Sequence, residues 1–174
     1  SALENYLLQN GRDWERYAWI KARVVNDWAD AEYLYRDVLR PFVYRRYLDY
    51  GVFSSLRDMK ALIEAEVAKK EFRGNLKLGP GGIREIEFIV QALQLVRGGT
   101  VATLRERQLL KVLPALVKEG CLPEGGAAEL TAAYHFLRLG ENRLQALYDR
   151  QTHDLPTDAG DQHRLAVAMG ATDW

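Results

Sequence analysis

One helix limits what this chain can become, and a glycine-rich turn leads into it. The stretch reads Asn75-Leu76-Lys77-Leu78-Gly79-Pro80-Gly81-Gly82-Ile83-Arg84-Glu85-Ile86-Glu87-Phe88-Ile89-Val90-Gln91. At about 100° per residue, Ile83, Ile86, Ile89, Val90, Ala92, Leu93 and Val96 cover most of the helix circumference, and Phe88 and Leu95 cover much of the rest. Arg84, Glu87, Gln91 and Gln94 fall in one wedge about 80° wide. A helix apolar nearly all round belongs in an interior. This one is expected to run through the middle of its domain, with the narrow polar stripe facing a cleft, a partner domain or other buried polar groups.

The turn itself has the parts of an anion site. Gly79, Gly81 and Gly82 permit backbone angles closed to other residues, and Pro80 stiffens the chain between them. Lys77 precedes the turn and Arg84 lies in the first helical turn, where unpaired N–H groups and the positive end of the macrodipole attract negative charge. The plainer alternative is that Arg84 and Glu87 pair at i, i+3 and the glycines only turn the chain.

The rest of the chain reads as helices between short stops. Helices are expected at 2–9, ended by Asn10-Gly11, and at 14–25, with Asp13 as its cap. Others follow at 30–40, broken or kinked by Pro41, at 42–49, and at 52–72 with Leu56, Met59, Ile63 and Val67 inward. After the central helix, which Arg97-Gly98-Gly99 ends, come 103–119, kinked or restarted at Pro114, then 124–151 with Gly140 weakening its middle. A last helix spans 159–169, capped by Thr157 or Asp158. No stretch alternates with period two, so the expected class is all-α: an up-and-down bundle of long antiparallel helices.

On the expected 14–25 helix, Arg12, Arg16, Trp19 and Arg23 lie within roughly 60° of one another, with Glu15 beside the row. Three arginines in a row repel unless carboxylates or an anion lie opposite. A functional or inter-domain face is favoured over a merely solvated one, because Trp19 sits inside the row.

Composition removes several function classes. The 174 residues allow one domain, and 48% apolar residues suffice for a core. Net charge is zero and the pI is 6.8, which argues against a nucleic-acid or membrane-surface binder. A single cysteine, Cys121, forbids an internal disulfide framework and suits a reducing, cytoplasmic setting. No apolar run approaches the ~18 residues of a membrane span, and no secretory leader is visible. His135, His153 and His163 lack zinc-ligand spacing and read as structural. No Asp-x-Asp is present to hold paired metals. Structured sequence runs up to both Ser1 and Trp174, so the chain is expected to be a piece of a larger protein.

Two stretches carry a family resemblance: Gly11-Arg12-Asp13-Trp14-Glu15-Arg16-Tyr17-Ala18-Trp19-Ile20-Lys21-Ala22-Arg23, and 75–91 with its Gly81-Gly82-Ile83-Arg84-Glu85-Ile86-Glu87-Phe88 core. Leu39-Arg40-Pro41-Phe42-Val43-Tyr44-Arg45-Arg46-Tyr47 and Gln151-Thr152-His153-Asp154-Leu155-Pro156 add to it. Nearly the whole chain resembles the bifunctional glutamine synthetase adenylyltransferase/adenylyl-removing enzymes of bacteria, in particular the helical domain of the N-terminal, adenylyl-removing half.

That resemblance implies a parent with two nucleotidyltransferase halves. One adds AMP to a tyrosine of glutamine synthetase and the other removes it by phosphorolysis, giving ADP. It implies Mg2+ on a catalytic domain outside this chain, ATP/ADP and phosphate as substrates, and glutamine synthetase, PII signal proteins and the parent's own nucleotidyltransferase domains as partners. The Gly-Ser and paired-Asp motifs of catalysis are absent here, so the chain alone is expected to be inactive. Residues 1–174 are then one helical domain, with 1–26 packing on the missing nucleotidyltransferase domain. Candidate phosphate or substrate contacts are Arg12, Glu15, Arg16, Arg23, Lys77, Gly81, Gly82, Arg84, Glu85 and Glu87, with the carboxylates orienting the cations. Two other functions fit the residues: a non-catalytic docking module for glutamine synthetase or PII proteins, and the helical domain of a uridylyltransferase, which shares a similar turn. The long match outside the turn argues against the latter.

Overall fold

Where each helix stops is decided by the side chains and carbonyls at its ends. The computed structural model describes residues 2–25, 29–45 and 74–174, with 54, 57, 58, 60, 61 and 65 between them. The expected helix at 52–72 falls mostly outside the described residues, as does the end of that at 42–49; the positions described within 54–65 are helical and exposed.

Helix α1 is Ala2–Gln9. Helix α2 is Asp13–Trp19, much shorter than the expected 14–25. The β-branched pair Val24-Val25 follows it and favours helix poorly. The Ala22 carbonyl is instead taken by the Tyr35 hydroxyl at 2.5 Å and by Arg107 Nη1 at 3.4 Å. Arg12, not Asp13, occupies the N-cap position. Its backbone N–H donates to Glu15 Oε2 at 2.8 Å, one arm of a capping box.

Helix α3 (Ala31–Tyr33), a π-helical stretch (Leu34–Leu39) and helix α4 (Arg40–Val43) follow one another without a break. Pro41 therefore does not end the helix. It sits in the first turn of α4, where a missing N–H costs least. It cannot donate to the Asp37 carbonyl, and the ladder ahead of it is widened: the Arg40 N–H reaches back to the Tyr35 carbonyl.

Helix α5 is Ile83–Arg97. A 3-10 turn at Ala102–Arg105 is separate from helix α6, Leu109–Lys118, which runs on through Pro114. The expected 103–119 helix is split because Glu106 Oε1 accepts from the N–H groups of Arg107 (2.7 Å) and Gln108 (3.0 Å). Helix α7 is Glu124–Ala146 and helix α8 is Ala159–Ala168. Asp158 caps α8 as expected, Oδ1 accepting from Gly160 N at 2.9 Å and Asp161 N at 3.1 Å. Among the described residues no strand forms; one isolated bridge joins Asn75 and Asp154. The all-α class holds.

The chain divides into two compact units. One is Ser1–Leu62 with Ile89–Pro123, the other Ile63–Phe88 with Glu124–Trp174. In the first, Leu7, Val38 and Leu39 form a cluster on which Leu3, Trp19, Leu34, Tyr35 and Phe42 pack. Helix α6 adds Leu109, Val112, Leu113 and Leu116, all buried; each such side chain contributes about 1.5–3 kcal/mol by leaving water. In the second unit Ile83, Ile86, Leu144, Leu165 and Ala166 are buried.

Helix α5 differs from its expected burial in one respect. Ile83, Ile86, Val90 and Leu95 are buried, but Ile89 is 43% exposed. The polar stripe is what lies inside: Glu87, Gln91 and Gln94 are all buried. Gln94 shows why, since its Nε2 donates to the carbonyls of Leu104 (2.6 Å) and Glu106 (2.7 Å) and holds the 3-10 turn in place.

Candidate functional site

The turn before α5 is organised by Asn75. Its buried side chain accepts from the N–H groups of Lys77 (3.1 Å) and Leu78 (2.8 Å) and donates from Nδ2 to Asp154 Oδ1 at 2.6 Å. Its carbonyl accepts from Gly79 N at 2.8 Å. Two flanking backbone bonds, Leu76 N to His153 O (2.8 Å) and Leu155 N to Gly74 O (2.7 Å), complete the bridge. Two of the motif stretches, 75–91 and 151–156, thus meet although Asn75 and Asp154 are 79 residues apart.

The glycines have different tasks. Gly81 has φ 72°, the left-handed region, with open space where a Cβ would go. Gly82 is walled in: a Cβ there would stand 2.8 Å from the carbonyl oxygens of Gly79 and Leu76 and 3.0 Å from that of Lys77. Those carbonyls accept from the N–H groups of Gly82 (2.9 Å), Ile83 (3.0 Å) and Arg84 (3.0 Å). Gly81 N donates to Glu85 Oε2 at 2.8 Å. The turn therefore satisfies its own amides, and the expected convergence of Gly81 and Gly82 N–H groups on an anion is corrected. Positive charge at the start of α5 is carried by side chains, the half-buried Lys77 and the exposed Arg84.

Arg84 Nη1 lies 3.8 Å from Oε2 of Glu87, the pairing of the plainer alternative. A second pair of the same spacing stands on α7, where Arg138 Nη1 donates to Glu141 Oε2 at 2.6 Å. Glu141 Oε1 is 2.9 Å from His153 Nδ1. The Arg138 guanidinium lies 5.6 Å from the Tyr134 ring centroid. Burial opposes the charge of Arg138, but Tyr134, Glu141 and Glu87 outweigh it and hold its pKa above the usual arginine value. Burial likewise pushes the Tyr134 hydroxyl up, with Arg138 opposing and Glu87 adding to the rise. Glu87 of α5 thus acts on both Tyr134 and Arg138 of α7. Sequence reasoning passed over Asn75, Arg138, Glu141, His153 and Asp154 as site residues. One signal was available: the Arg-x-x-Glu spacing of 84/87 recurs at 138/141.

The N-terminal candidates belong to the other unit, and the expected row does not form one face. Arg16 is 2% exposed. Its Nε and Nη2 donate to the Val43 carbonyl at 3.2 and 3.0 Å, and its Nη1 to Asp13 Oδ1 at 3.1 Å. It clamps the end of α4. Burial pulls its pKa below the usual arginine value, with the Asp13 hydrogen bond opposing. Glu15 is also buried, accepting from the Tyr6 hydroxyl and the Arg12 N–H, both at 2.8 Å. Trp19 packs on the Leu7 cluster. Arg12 and Arg23 are exposed, and Arg23 lies beyond the end of α2. Trp14 is 57% exposed.

Over its full length the chain is 56% identical to the bifunctional glutamine synthetase adenylyltransferase/adenylyl-removing enzyme of Stenotrophomonas maltophilia (strain R551-3). It is 55% identical to the enzyme of that name from Nitrosococcus oceani and 52% to that from Xanthomonas oryzae pv. oryzae, again over the full chain. The chain belongs to this adenylyltransferase/adenylyl-removing family. It spans 18–19% of the length of these relatives.

A family model described as GlnD PII-uridylyltransferase matches residues 57–174. That match takes in the Asn75 turn, α5, α7 and the 151–156 loop. It leaves out 11–23, which the adenylyltransferase/adenylyl-removing relatives cover. Among the described residues, no helix is long and apolar enough to cross a membrane, and no three His, Cys, Asp or Glu side chains group to hold a metal ion.

Proposed function

We propose that this chain is the helical segment beside the nucleotidyltransferase domain of the adenylyl-removing half of its parent enzyme, and that the start of α5 helps hold phosphate or nucleotide there. The parent's two halves would add AMP to a glutamine synthetase tyrosine and remove it, regulating nitrogen assimilation in the bacterial cytoplasm under control of PII signal proteins. In removal, a phosphate oxygen bonds to the α-phosphorus of the tyrosyl-AMP, the tyrosyl oxygen leaves and takes up a proton, and ADP is released. Mg2+ for this step would be bound by the catalytic domain outside this chain.

The observation that carries this reading is the match of this whole chain to a stretch of enzymes named for both activities, together with the braced turn that presents Arg84 at the start of α5. Lys77 and Arg84 supply positive charge. Glu87 orients Arg84, Glu85 closes the turn through Gly81, and Gly82 lets the carbonyls approach. In the first unit, exposed Arg12, Trp14 and Arg23 are the part of 1–26 available to pack on the nucleotidyltransferase domain, with Glu15 and Arg16 supporting them from inside.

The test is made in the full-length enzyme. Arg84→Ala is expected to lower phosphorolysis at least ~10-fold, the scale for losing one donor to a reacting phosphoryl group. Adenylylation should stay near its original rate. An unchanged rate of ADP formation would refute the role. Loss of both activities with a lowered melting temperature would make Arg84 structural.

A further inference from the structure

Arg84–Glu87 and Arg138–Glu141 repeat one arrangement. In each pair the carboxylate is nearly buried and the guanidinium about half exposed: 10% against 45% for the first, 11% against 47% for the second. A solvated helix pair looks different; in Arg36–Glu32 the exposures are 59% and 85%. A buried carboxylate keeps its cation in one place, because moving it away would leave a charge unpaired in a poor solvent. The guanidinium is then fixed from behind with an edge towards water.

Arg138 is the better fixed of the two. Glu141 Oε2 accepts from Nη1 at 2.6 Å, and the Tyr134 ring stands 5.6 Å from the guanidinium carbon. A guanidinium has five N–H donors, so one carboxylate oxygen leaves several on the open edge. The other oxygen of Glu141 lies 2.9 Å from His153 Nδ1. His153 in turn sits beside Asp154, which is bonded to Asn75 at the base of the α5 turn. Gly140 of α7 also stands against the Leu76 side chain, 3.4 Å from where its Cβ would lie, and the Leu76 carbonyl accepts from Ile83 N beside Arg84, so α7 packs on the turn that carries Arg84.

We propose that Arg138 joins Arg84 as a two-guanidinium receptor for one phosphoryl group, with Glu141 and Glu87 as positioning residues. This rests on the phosphate-handling function proposed above and extends it to a second helix. Two planar forks backed by carboxylates suit a tetrahedral oxyanion, which accepts charge-assisted bonds from both. The group is either inorganic phosphate or a phosphate of the nucleotide.

The experiment uses the full-length enzyme and separates the two sources. The KM for inorganic phosphate in deadenylylation and the inhibition constant for ADP are measured for Arg138→Ala, Arg138→Lys and Glu141→Gln. Arg138→Ala should raise one of them at least ~10-fold, with adenylylation unchanged. Arg138→Lys should recover only part, because a point charge lacks the fork. Added guanidinium ion should restore part of the Arg138→Ala loss. Glu141→Gln should move the same constant by less. A rise in the phosphate KM identifies inorganic phosphate, and a rise in the ADP constant identifies the nucleotide. If neither constant moves while Arg84→Ala still slows phosphorolysis, the second guanidinium is overturned and the simpler site survives. If Arg138→Ala lowers the melting temperature, Arg138→Gln decides, and unchanged constants there again overturn the proposal.

Discussion

Replacing Arg16 by methionine should destabilise the chain by about 2–3 kcal/mol, although arginine is the residue least expected in a core. Methionine keeps most of the stem volume, so little cavity opens. What goes is polar. The Val43 carbonyl loses both donors, at 3.2 and 3.0 Å, and a buried acceptor left unpaired costs about 1–3 kcal/mol. The Asp13 partner is 41% exposed, so losing that ion pair adds about 0.3–1 kcal/mol. Removing a charge that burial already disfavours returns part of the total. For a domain of this size each kcal/mol moves the melting temperature by about 2–4 °C, so the drop should be about 5–10 °C. Circular dichroism melts of Arg16→Met, Arg12→Ala and Arg23→Ala are the assay. The latter two side chains are exposed and should change stability by less than about 0.5 kcal/mol. An Arg16→Met midpoint within a degree of the parent, or an equal loss in all three, would refute the clamp.

The two glycines of the turn should separate in the same melts. Gly82→Ala pushes a methyl into three backbone carbonyls and should cost more than Gly81→Ala, which has room and meets only the left-handed strain of about 1–2 kcal/mol; the reverse order would contradict the packing of the turn. Burial pushes the Tyr44 hydroxyl up to about 12, from 10.0. The unfolded chain therefore releases that proton first, and the stability Tyr44 contributes, fully present below pH 10, is lost as pH rises towards 12. Urea midpoints followed from pH 9 to 12 should fall less steeply for Tyr44→Phe, and equal slopes would count against a raised Tyr44 hydroxyl.

Spacing and end signals carry much of the fold because they act within a few residues. The 3.6-residue period marks α5 and α6, Asp158 supplies its own cap to α8, and Gly98 follows the end of α5. The family is equally legible, since motif stretches along the chain hold enough residues in order to exclude chance. Local signals fail where a distant group competes. The Ala22 carbonyl bonds Tyr35 and Arg107, and the helix expected to 25 stops at Trp19. A near side chain can compete as well: Glu106 takes the N–H groups of the next two residues, and one expected helix becomes a turn and a helix. Glycines signal a flexible turn, but only the folded chain shows that its amides are satisfied by its own carbonyls and by Glu85. An arginine row likewise shows charge and period but not depth. Arg16 is buried because α4 happens to end with a carbonyl in its reach, while Arg12 and Arg23 stay in water. Period and end signals mark most of the helices, and ordered motif stretches mark the family; which buried polar groups meet across the fold, Arg16 with the Val43 carbonyl and Asn75 with Asp154, is decided by tertiary packing, because those partners lie 27 and 79 residues apart and local spacing holds no record of them.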